Sequence, residues 1–171
     1  VRINRADVTG VDATLYAPCG AADVRLRYAG AHNALNAAAA VAACFAVTHE
    51  MSIGEVAEVL AATQPVDMRC QVSDVSGIIV IADCYNANPV SMKSSLKVLA
   101  GCDTRRVAIL GDMGELGKDE IALHREVGAY AAGCTDRLVV IGTLGRYICE
   151  AALEARPELS AVWYASVDEF L

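Results

Sequence analysis

Short apolar runs alternate with helix-like stretches from Ile78 to the end of the chain, and this alternation restricts the possible folds more than any other feature. Runs of strand length occupy Ile78–Ala82 and residues 106–110, 138–141 and 161–165, while helical patterns occupy Pro89–Ala100 and residues 119–132 and 144–155. Short strands that alternate with helices are typical of βαβ units. The sequence therefore predicts an α/β fold with a Rossmann-like, mostly parallel sheet.

The last residues contain the start of a further helix. Ser166-Val167-Asp168-Glu169 has the S-x-x-E form of a capping box, in which both side chains satisfy backbone groups at a helix start. Because the sequence stops within one turn of this point, we expect the α/β domain to be cut short.

The residues before Ile78 follow a different pattern. A strand is predicted at residues 24–28, an alanine-rich helix at His32–Val47, and a second helix from the capping box at residues 52–55 to about Ala62. Residues 63–67 interrupt the pattern and are typical of a linker, and Ser76-Gly77 separates two strand-like runs as in a hairpin. We expect one domain at residues 1–68 and a second at residues 69–171.

Composition excludes several functional classes. The 171 residues are 55% hydrophobic, which suffices for a packed core, and the net charge of −7 argues against a nucleic-acid-binding surface. No apolar run reaches the roughly 18 residues that a membrane-spanning helix needs, and no secretory signal opens the sequence. We expect a cytoplasmic protein with neither nucleic-acid nor membrane partners.

The seven cysteines include no C-x-x-C pair, and most have apolar neighbours. This pattern favours small, reduced core residues over a disulfide framework or a zinc site.

Three segments are predicted at the carboxyl ends of strands, where ligands bind in open parallel sheets: residues 83–88, 111–117 and 142–145. In the first, Asn88 and Pro89 have the order of a helix N-cap and its first helical residue. A turn and a cap explain these two residues, but not the Asp83, Tyr85 and Asn86 that precede them. The segment is therefore a candidate binding site.

The second segment belongs to the run LGDMGELG at residues 110–117, whose glycines let the backbone approach a ligand. It is not the G-x-G-x-x-G fingerprint of dinucleotide-binding proteins. Asp112 is placed to hold a metal-bound phosphate or a substrate amine, although a flexible loop explains the same residues. His124 lies in the following helix, where a lone histidine is more often structural than catalytic.

A further candidate is the run GAHNALNAA, which begins the alanine-rich helix. Asn33 and Asn36 share one face of its first turn, where an amide can read the edge of a base. Alternatively, Asn33 only caps the helix. Arg69 is either a phosphate or ribose contact or a solvated charge, and spacing does not decide between these alternatives.

Taken in order, GAHNALNAAAAVAA, Arg69, DCYNANPVSM and LGDMGELG followed by His124 resemble the Mur ligase family over roughly residues 15–171. The blocks Y-N-A-N-P-x-S-M and G-D-M-x-E-L-G are most similar to the member that joins D-alanyl-D-alanine to UDP-N-acetylmuramoyl-tripeptide. The resemblance implies that residues 1–68 end a central ATPase domain and that residues 69–171 form most of the C-terminal domain. The phosphate loop of the central domain, with its glycine-lysine-threonine run, does not occur in this sequence.

The same resemblance implies an ATP-dependent carbon–nitrogen ligase of peptidoglycan precursor synthesis. ATP phosphorylates the tripeptide carboxylate, and the amine of D-alanyl-D-alanine attacks the acyl phosphate. The implied cofactors are ATP and Mg²⁺, with the metal held mainly by parts outside this sequence. The partners are then these small molecules, and we expect a monomer.

The resemblance also implies roles for individual residues. The ATP side would comprise Asn33, Asn36, Arg69, Asp83 and Tyr85, with Asn33 near the adenine and Asp83 facing the ribose. The D-alanyl-D-alanine side would comprise Asn86, Asn88, Asp112 and His124, and backbone N–H groups at the helix start beside Asn88 would favour the dipeptide carboxylate. No catalytic residue or metal ligand is implied in this segment. Cys84 departs from the family pattern, and its side chain is expected to point back toward the sheet.

Two other functional classes stay open. One is a different amide ligase of the same superfamily, such as a folylpolyglutamate synthase, against which the Asn86-Ala87-Asn88 block argues. The other is a non-catalytic nucleotide- or dipeptide-binding module.

Overall fold

The computed structural model describes residues 1–48 and 50–171, which form two compact units, Val1–Asp83 and Cys84–Leu171. The first unit contains an antiparallel sheet in the order β1-β2-β3, with β1 at Arg2–Asp7, β2 at Gly10–Ala17 and β3 at Gly20–Leu26. In β2, Val11, Ala13 and Leu15 are at most 1% exposed, as alternation toward one buried face requires.

The sequence predicts only part of β3 and neither β1 nor β2. Most of β1 is exposed and polar, so it has no apolar alternation to detect. In β2 the buried positions include the small or polar Ala13 and Thr14, which weakens the pattern.

Both predicted helices of this unit are confirmed, α1 at His32–Val47 and α2 at Ile53–Ala62. The Ser52 hydroxyl oxygen accepts from the Glu55 N–H, and the Glu55 carboxylate accepts from the Ser52 N–H, which completes the predicted capping box. Apolar residues of α1 and α2 form one buried core with β2 and β3.

The predicted hairpin is also present, with β4 at Gln71–Val75 and β5 at Ile78–Ala82. Ser76 and Gly77 both have positive φ, 54° and 86°, as a two-residue hairpin turn requires. The alternation pattern predicts β5 as part of the parallel sheet, but among the described residues β5 pairs only with β4. In this structure β5 pairs instead with β4, the antiparallel strand that precedes it across the turn.

The second unit alternates helix and strand: α3 at Pro89–Ala100, β6 at Val107–Leu110, α4 at Glu120–Ala132, β7 at Arg137–Ile141, α5 at Gly145–Ala155, β8 at Ser160–Tyr164 and α6 at Val167–Phe170. The strands β6, β7 and β8 form a parallel sheet in that order, which confirms the α/β fold class. Every predicted boundary in this unit lies within one residue of the observed one, apart from the open end of the last helix.

The core of the second unit lies between the sheet and α3, α4 and α5, with Val127, Leu138, Val140 and Ile148 fully buried. Helices α4 and α5 approach closely at Gly128, where an added Cβ would lie 2.1 Å from the Ile148 carbonyl oxygen. Among the described residues, no helix has both the length and the apolar character that crossing a membrane would require.

All seven cysteines are free, but their burial differs from the expectation. Cys70, Cys134 and Cys149 are buried, and burial raises the pKa of the Cys134 and Cys149 thiols, which keeps them protonated. Cys19 and Cys84 are exposed. Cys84 lies in the loop that follows β5. Since its side chain is exposed, it does not pack back toward a sheet as expected.

Candidate functional site

In the first unit the hairpin brings Asp83 next to the segment that carries Arg69. Gln71 pairs with Ala82, so the residues that flank the two strands face each other. The Asp83 carboxylate then accepts a hydrogen bond from the Cys70 N–H at 3.0 Å. Two predicted nucleotide-side residues that are distant in sequence are therefore held at one end of the hairpin.

The start of α1 lies within the electrostatic field of Asp83. Burial lowers the pKa of His32, and the negative charge of Asp83 opposes that shift. His32 was not among the predicted site residues, although its position directly before Asn33 was a signal. The structure thus adds His32 as a residue that interacts with the charge of Asp83.

Asn33 and Asn36 form a hydrogen-bonded pair on the first turns of α1. The Asn33 amide nitrogen donates to the Ala29 carbonyl oxygen at 2.8 Å, and the Asn36 amide nitrogen donates to the Asn33 side-chain oxygen at 3.0 Å. The alternative that Asn33 caps the helix is wrong, since the N-cap is Ala31 and no side chain caps it. The pair instead presents two oriented amides on the face that the spacing predicted.

In the second unit Tyr85, Asn86 and Asn88 are exposed in the loop before α3. The Asn88 side-chain oxygen accepts from the N–H groups of Val90 and Ser91, so the cap predicted from Asn88 and Pro89 is confirmed. Because Pro89 has no N–H, the groups of Val90 and Ser91 are the first donors at the helix start, and the Asn88 side chain already accepts from both. The expected carboxylate site at these backbone N–H groups is not supported by this geometry.

Asn86 has a separate local contact. Its side-chain oxygen accepts from the Ala87 N–H at 2.9 Å. The amide nitrogen is then the group of this side chain that can donate to a ligand. In this loop the Asn86 amide is therefore the candidate contact, whereas the helix start is already capped by Asn88.

The carboxyl ends of the three parallel strands meet at an open groove of about 430 Å³. Its lining comes from all three strand ends, namely Ile109, Leu110, Gly111, Asp112, Ile141, Gly142, Ser166 and Val167. The predicted segments 111–117 and 142–145 therefore lie side by side, as the parallel arrangement requires.

Asp112 connects these two loops. One of its carboxylate oxygens accepts from the Gly145 N–H at 2.6 Å, at the start of α5. Gly142 has φ 121°, and a Cβ at this position would lie 2.4 Å from the same carboxylate oxygen. The Trp163 indole N–H donates to the Gly142 carbonyl oxygen at 2.7 Å. Asp112 remains exposed, and its carboxylate is held in a defined position.

His124 lies in the core, and both of its ring nitrogens form hydrogen bonds with backbone groups of the second unit. The side chain is 0% exposed. Nε2 accepts from the Met113 N–H at 3.0 Å, and Nδ1 donates to the Glu120 carbonyl oxygen at 2.7 Å. This is the structural role that a lone helical histidine usually has, and the geometry does not support the predicted contact with the dipeptide.

The described residues supply no metal centre. In residues 1–48 and 50–171, no group of three or more His, Cys, Asp or Glu side chains lies close enough together to hold a metal ion.

Residues 68–171 match the family model described as Mur ligase, glutamate ligase domain. The UDP-N-acetylmuramoyl-tripeptide–D-alanyl-D-alanine ligase of Mycobacterium bovis is 43% identical over 162 residues, which are 88% of this chain and 30% of that protein. A crystal structure of MurF from Acinetobacter baumannii has a TM-score of 0.83 at 30% identity, over 95% of this chain and 34% of that one.

A MurF ligase from Thermotoga maritima, solved in complex with ADP, shares the fold with a TM-score of 0.72 at 22% identity, over 92% of this chain and 40% of that one. The chain thus spans about a third of the length of these proteins. Because the family model covers more than half of the sequence, the chain belongs to the Mur ligase family, with the family's glutamate ligase domain at residues 68–171.

Proposed function

We propose that this chain is part of an ATP-dependent ligase that joins D-alanyl-D-alanine to UDP-N-acetylmuramoyl-tripeptide, a step in peptidoglycan precursor synthesis. The observation that carries the proposal is the 43% identity to the Mycobacterium bovis ligase of that name. The activity is proposed for the complete enzyme, because the chain covers 30% of that relative. We further propose that residues 1–68 belong to its ATPase domain and residues 69–171 to its C-terminal domain.

The first unit would bind the nucleotide. The amides of Asn33 and Asn36 offer both donors and acceptors to an adenine edge, and the Asp83 carboxylate can accept from a ribose hydroxyl. Arg69 supplies a positive charge for a phosphate. Tyr85 is proposed as a further nucleotide contact. ATP supplies the phosphoryl group that activates the tripeptide carboxylate, and Mg²⁺ would be held outside this segment.

The second unit would position the incoming dipeptide. Its amine must be neutral to attack an acyl phosphate, which calls for oriented acceptors near that nitrogen, and Asp112 is such an acceptor. Asn86 and Asn88 would donate to the carboxylate end through their amide nitrogens. Catalysis is then mostly positioning of the two reactants. The proposed enzyme acts on small molecules as a cytoplasmic monomer, without nucleic-acid or membrane partners.

The first test replaces Asp83 in the complete enzyme. Loss of a hydrogen bond to a charged group typically costs about 1.5–3 kcal/mol, so Asp83→Ala should weaken ATP use roughly ten- to a hundredfold, with little change in the KM for the dipeptide. Asp74→Ala is the matched control, since Asp74 lies in the same hairpin and accepts a backbone N–H from Gly77 at 2.8 Å. Unchanged kinetics with ATP would contradict the assignment.

The second test replaces Asn86. One neutral hydrogen bond is worth about 0.5–1.5 kcal/mol, so Asn86→Ala should raise the KM for D-alanyl-D-alanine several-fold and leave the KM for ATP unchanged. If Asn86 only shapes the turn, the melting temperature should fall and both KM values should rise together. Steady-state kinetics with both substrates, with melting measured alongside, separates the two outcomes.

A further inference from the structure

We infer that His124 is a positioning residue that holds the loop at residues 110–117, so that Asp112 is presented at the groove. His124 connects two parts of the chain through its two ring nitrogens. Nε2 accepts from the Met113 N–H in the loop, and Nδ1 donates to the Glu120 carbonyl oxygen in the first turn of α4. The inference rests on the proposed function, because the presented residue is assigned there to the dipeptide.

The geometry determines the proton position on the ring. A carbonyl oxygen can only accept, so Nδ1 must carry the proton, and a backbone N–H can only donate, so Nε2 must be unprotonated. The ring is therefore neutral with its proton on Nδ1. Among the described residues, the Met113 N–H has no other hydrogen-bond acceptor.

The packing of the Met113 side chain holds this part of the loop in place. Its side chain is 1% exposed and belongs to the core of the second unit. Its backbone N–H lies in irregular chain between β6 and α4, so no regular secondary structure satisfies it. Loss of the Nε2 acceptor would leave a buried donor unsatisfied, and the loop would have to move to satisfy it with water.

Asp112 has little room for such a movement. It is covalently adjacent to Met113, and its carboxylate packs against Gly142 and accepts from the Gly145 N–H. A shift of the Met113 backbone would therefore displace the carboxylate from both contacts. His124 would influence the dipeptide through Asp112 without touching the dipeptide itself.

Two amide substitutions separate the two ring nitrogens. In His124→Gln the side-chain oxygen can reach the position of Nε2 and keep the acceptor for Met113. In His124→Asn the amide nitrogen can take the position of Nδ1 and keep the donor for Glu120, but the acceptor is lost. Both variants remove the imidazole from the core, so a role in packing alone predicts similar effects from both.

We expect His124→Asn in the complete enzyme to lower kcat/KM for D-alanyl-D-alanine by roughly three- to tenfold, while His124→Gln stays within about twofold of the wild type. The KM for ATP should not change in either variant, because the ring nitrogens of His124 bond to Met113 and Glu120 and to none of the proposed nucleotide contacts. Equal losses in both variants, or a parallel change for ATP, would overturn the inference.

A measurement on the wild-type chain keeps the inference testable if a variant fails to fold. The sequence has three histidines, so a long-range nitrogen–proton correlation spectrum of histidine-labelled protein can resolve them. His124 should show a protonated Nδ1 and an unprotonated Nε2. The opposite tautomer would overturn the inference whatever the kinetics show. Absence of amide formation by the wild-type enzyme would instead refute the proposed function and leave the tautomer result intact.

Discussion

The Arg106 guanidinium binds both carboxylate oxygens of Asp136, at 2.7 and 3.2 Å, and the Arg106 backbone N–H donates to the same carboxylate at 2.8 Å. These bonds join the residues that lead into β6 to those that lead into β7. The Arg106 side chain, followed by its backbone N–H, lowers the pKa of Asp136 from 3.8 to about 2. A single aspartate thus helps to set the register of the sheet that carries the groove.

The lowered pKa of Asp136 predicts a pH-dependent stability. A carboxyl group with a depressed folded-state pKa stabilises the protein fully above its unfolded value of 3.8, and this contribution is lost as the pH falls toward about 2. Asp136→Asn should therefore lower the melting temperature at neutral pH, and its difference from the wild type should shrink as the pH falls through this window. Thermal melts across the pH range measure this difference.

Asp103→Asn is a suitable control, because Asp103 is exposed and makes no salt bridge among the described residues. Its melting curve should follow the wild type over the same range. A constant difference between Asp136→Asn and the wild type at every pH would contradict the ionic role of Asp136.

Among the helices and strands, the contact between α4 and α5 depends on one glycine. The Cβ of a residue at Gly128 would lie 2.1 Å from the Ile148 carbonyl oxygen and 2.8 Å from the carbonyl carbon and Cα. These are backbone atoms, so no side-chain rotation can relieve the overlap. The close approach also places the start of α5 where Gly145 meets Asp112.

We expect Gly128→Ala to lower the free energy of unfolding by about 1–3 kcal/mol, as overpacking of a close-packed core usually does. Alanine has a higher helix propensity than glycine by about 0.8–1 kcal/mol, which offsets only part of this cost. Chemical denaturation of the variant measures the change in free energy. A denaturation midpoint equal to that of the wild type would contradict this prediction, because it would show that α4 and α5 can move apart without loss of stability.

Gly133→Ala is the matched control at the end of the same helix. Its added Cβ would have its nearest neighbour, the Tyr130 carbonyl oxygen, at an ordinary 3.7 Å, and φ at this position is −82°. This exposed substitution should stay within about 0.5 kcal/mol of the wild type.

For the chain as a whole, most of the proposed nucleotide contacts lie in the first unit, and the proposed dipeptide contacts lie in the second together with Tyr85. Asn33, Asn36, Arg69 and Asp83 belong to Val1–Asp83, whereas Tyr85, Asn86, Asn88 and Asp112 belong to Cys84–Leu171. Neither unit contains the glycine-lysine-threonine run that would hold the terminal phosphates of ATP, because the sequence has none. The 171 residues therefore carry the proposed positioning groups without the phosphate loop.

We expect the 171-residue chain alone to show no ligase or ATPase activity. Phosphate release should not exceed a blank without protein, whether or not the tripeptide and dipeptide substrates are present. The complete enzyme assayed in parallel provides the positive control. Substrate-dependent phosphate release by the chain alone would contradict the assignment of the phosphate loop to another part of the enzyme.

Local sequence patterns were sufficient for most elements of the second unit. Its helices and strands follow from apolar periodicity, and the caps at Ser52, Asn88 and Ser166 follow from side chains that bond to nearby backbone groups. The resemblance of short motifs was sufficient to identify the family and to select most of the candidate residues. These features depend on residues only a few positions apart, so a linear sequence contains them.

The arrangement of the candidate residues required the folded structure. Asp83 meets Cys70 across 13 positions, and Asp112 meets Gly145 across 33, so neither contact has a local signal. Two further features likewise had no local signal: β5 has no partner other than β4 among the described residues, and His124 accepts from the Met113 N–H. Which backbone group a polar side chain reaches depends on how the strands and helices pack, and packing is set by contacts between distant parts of the chain.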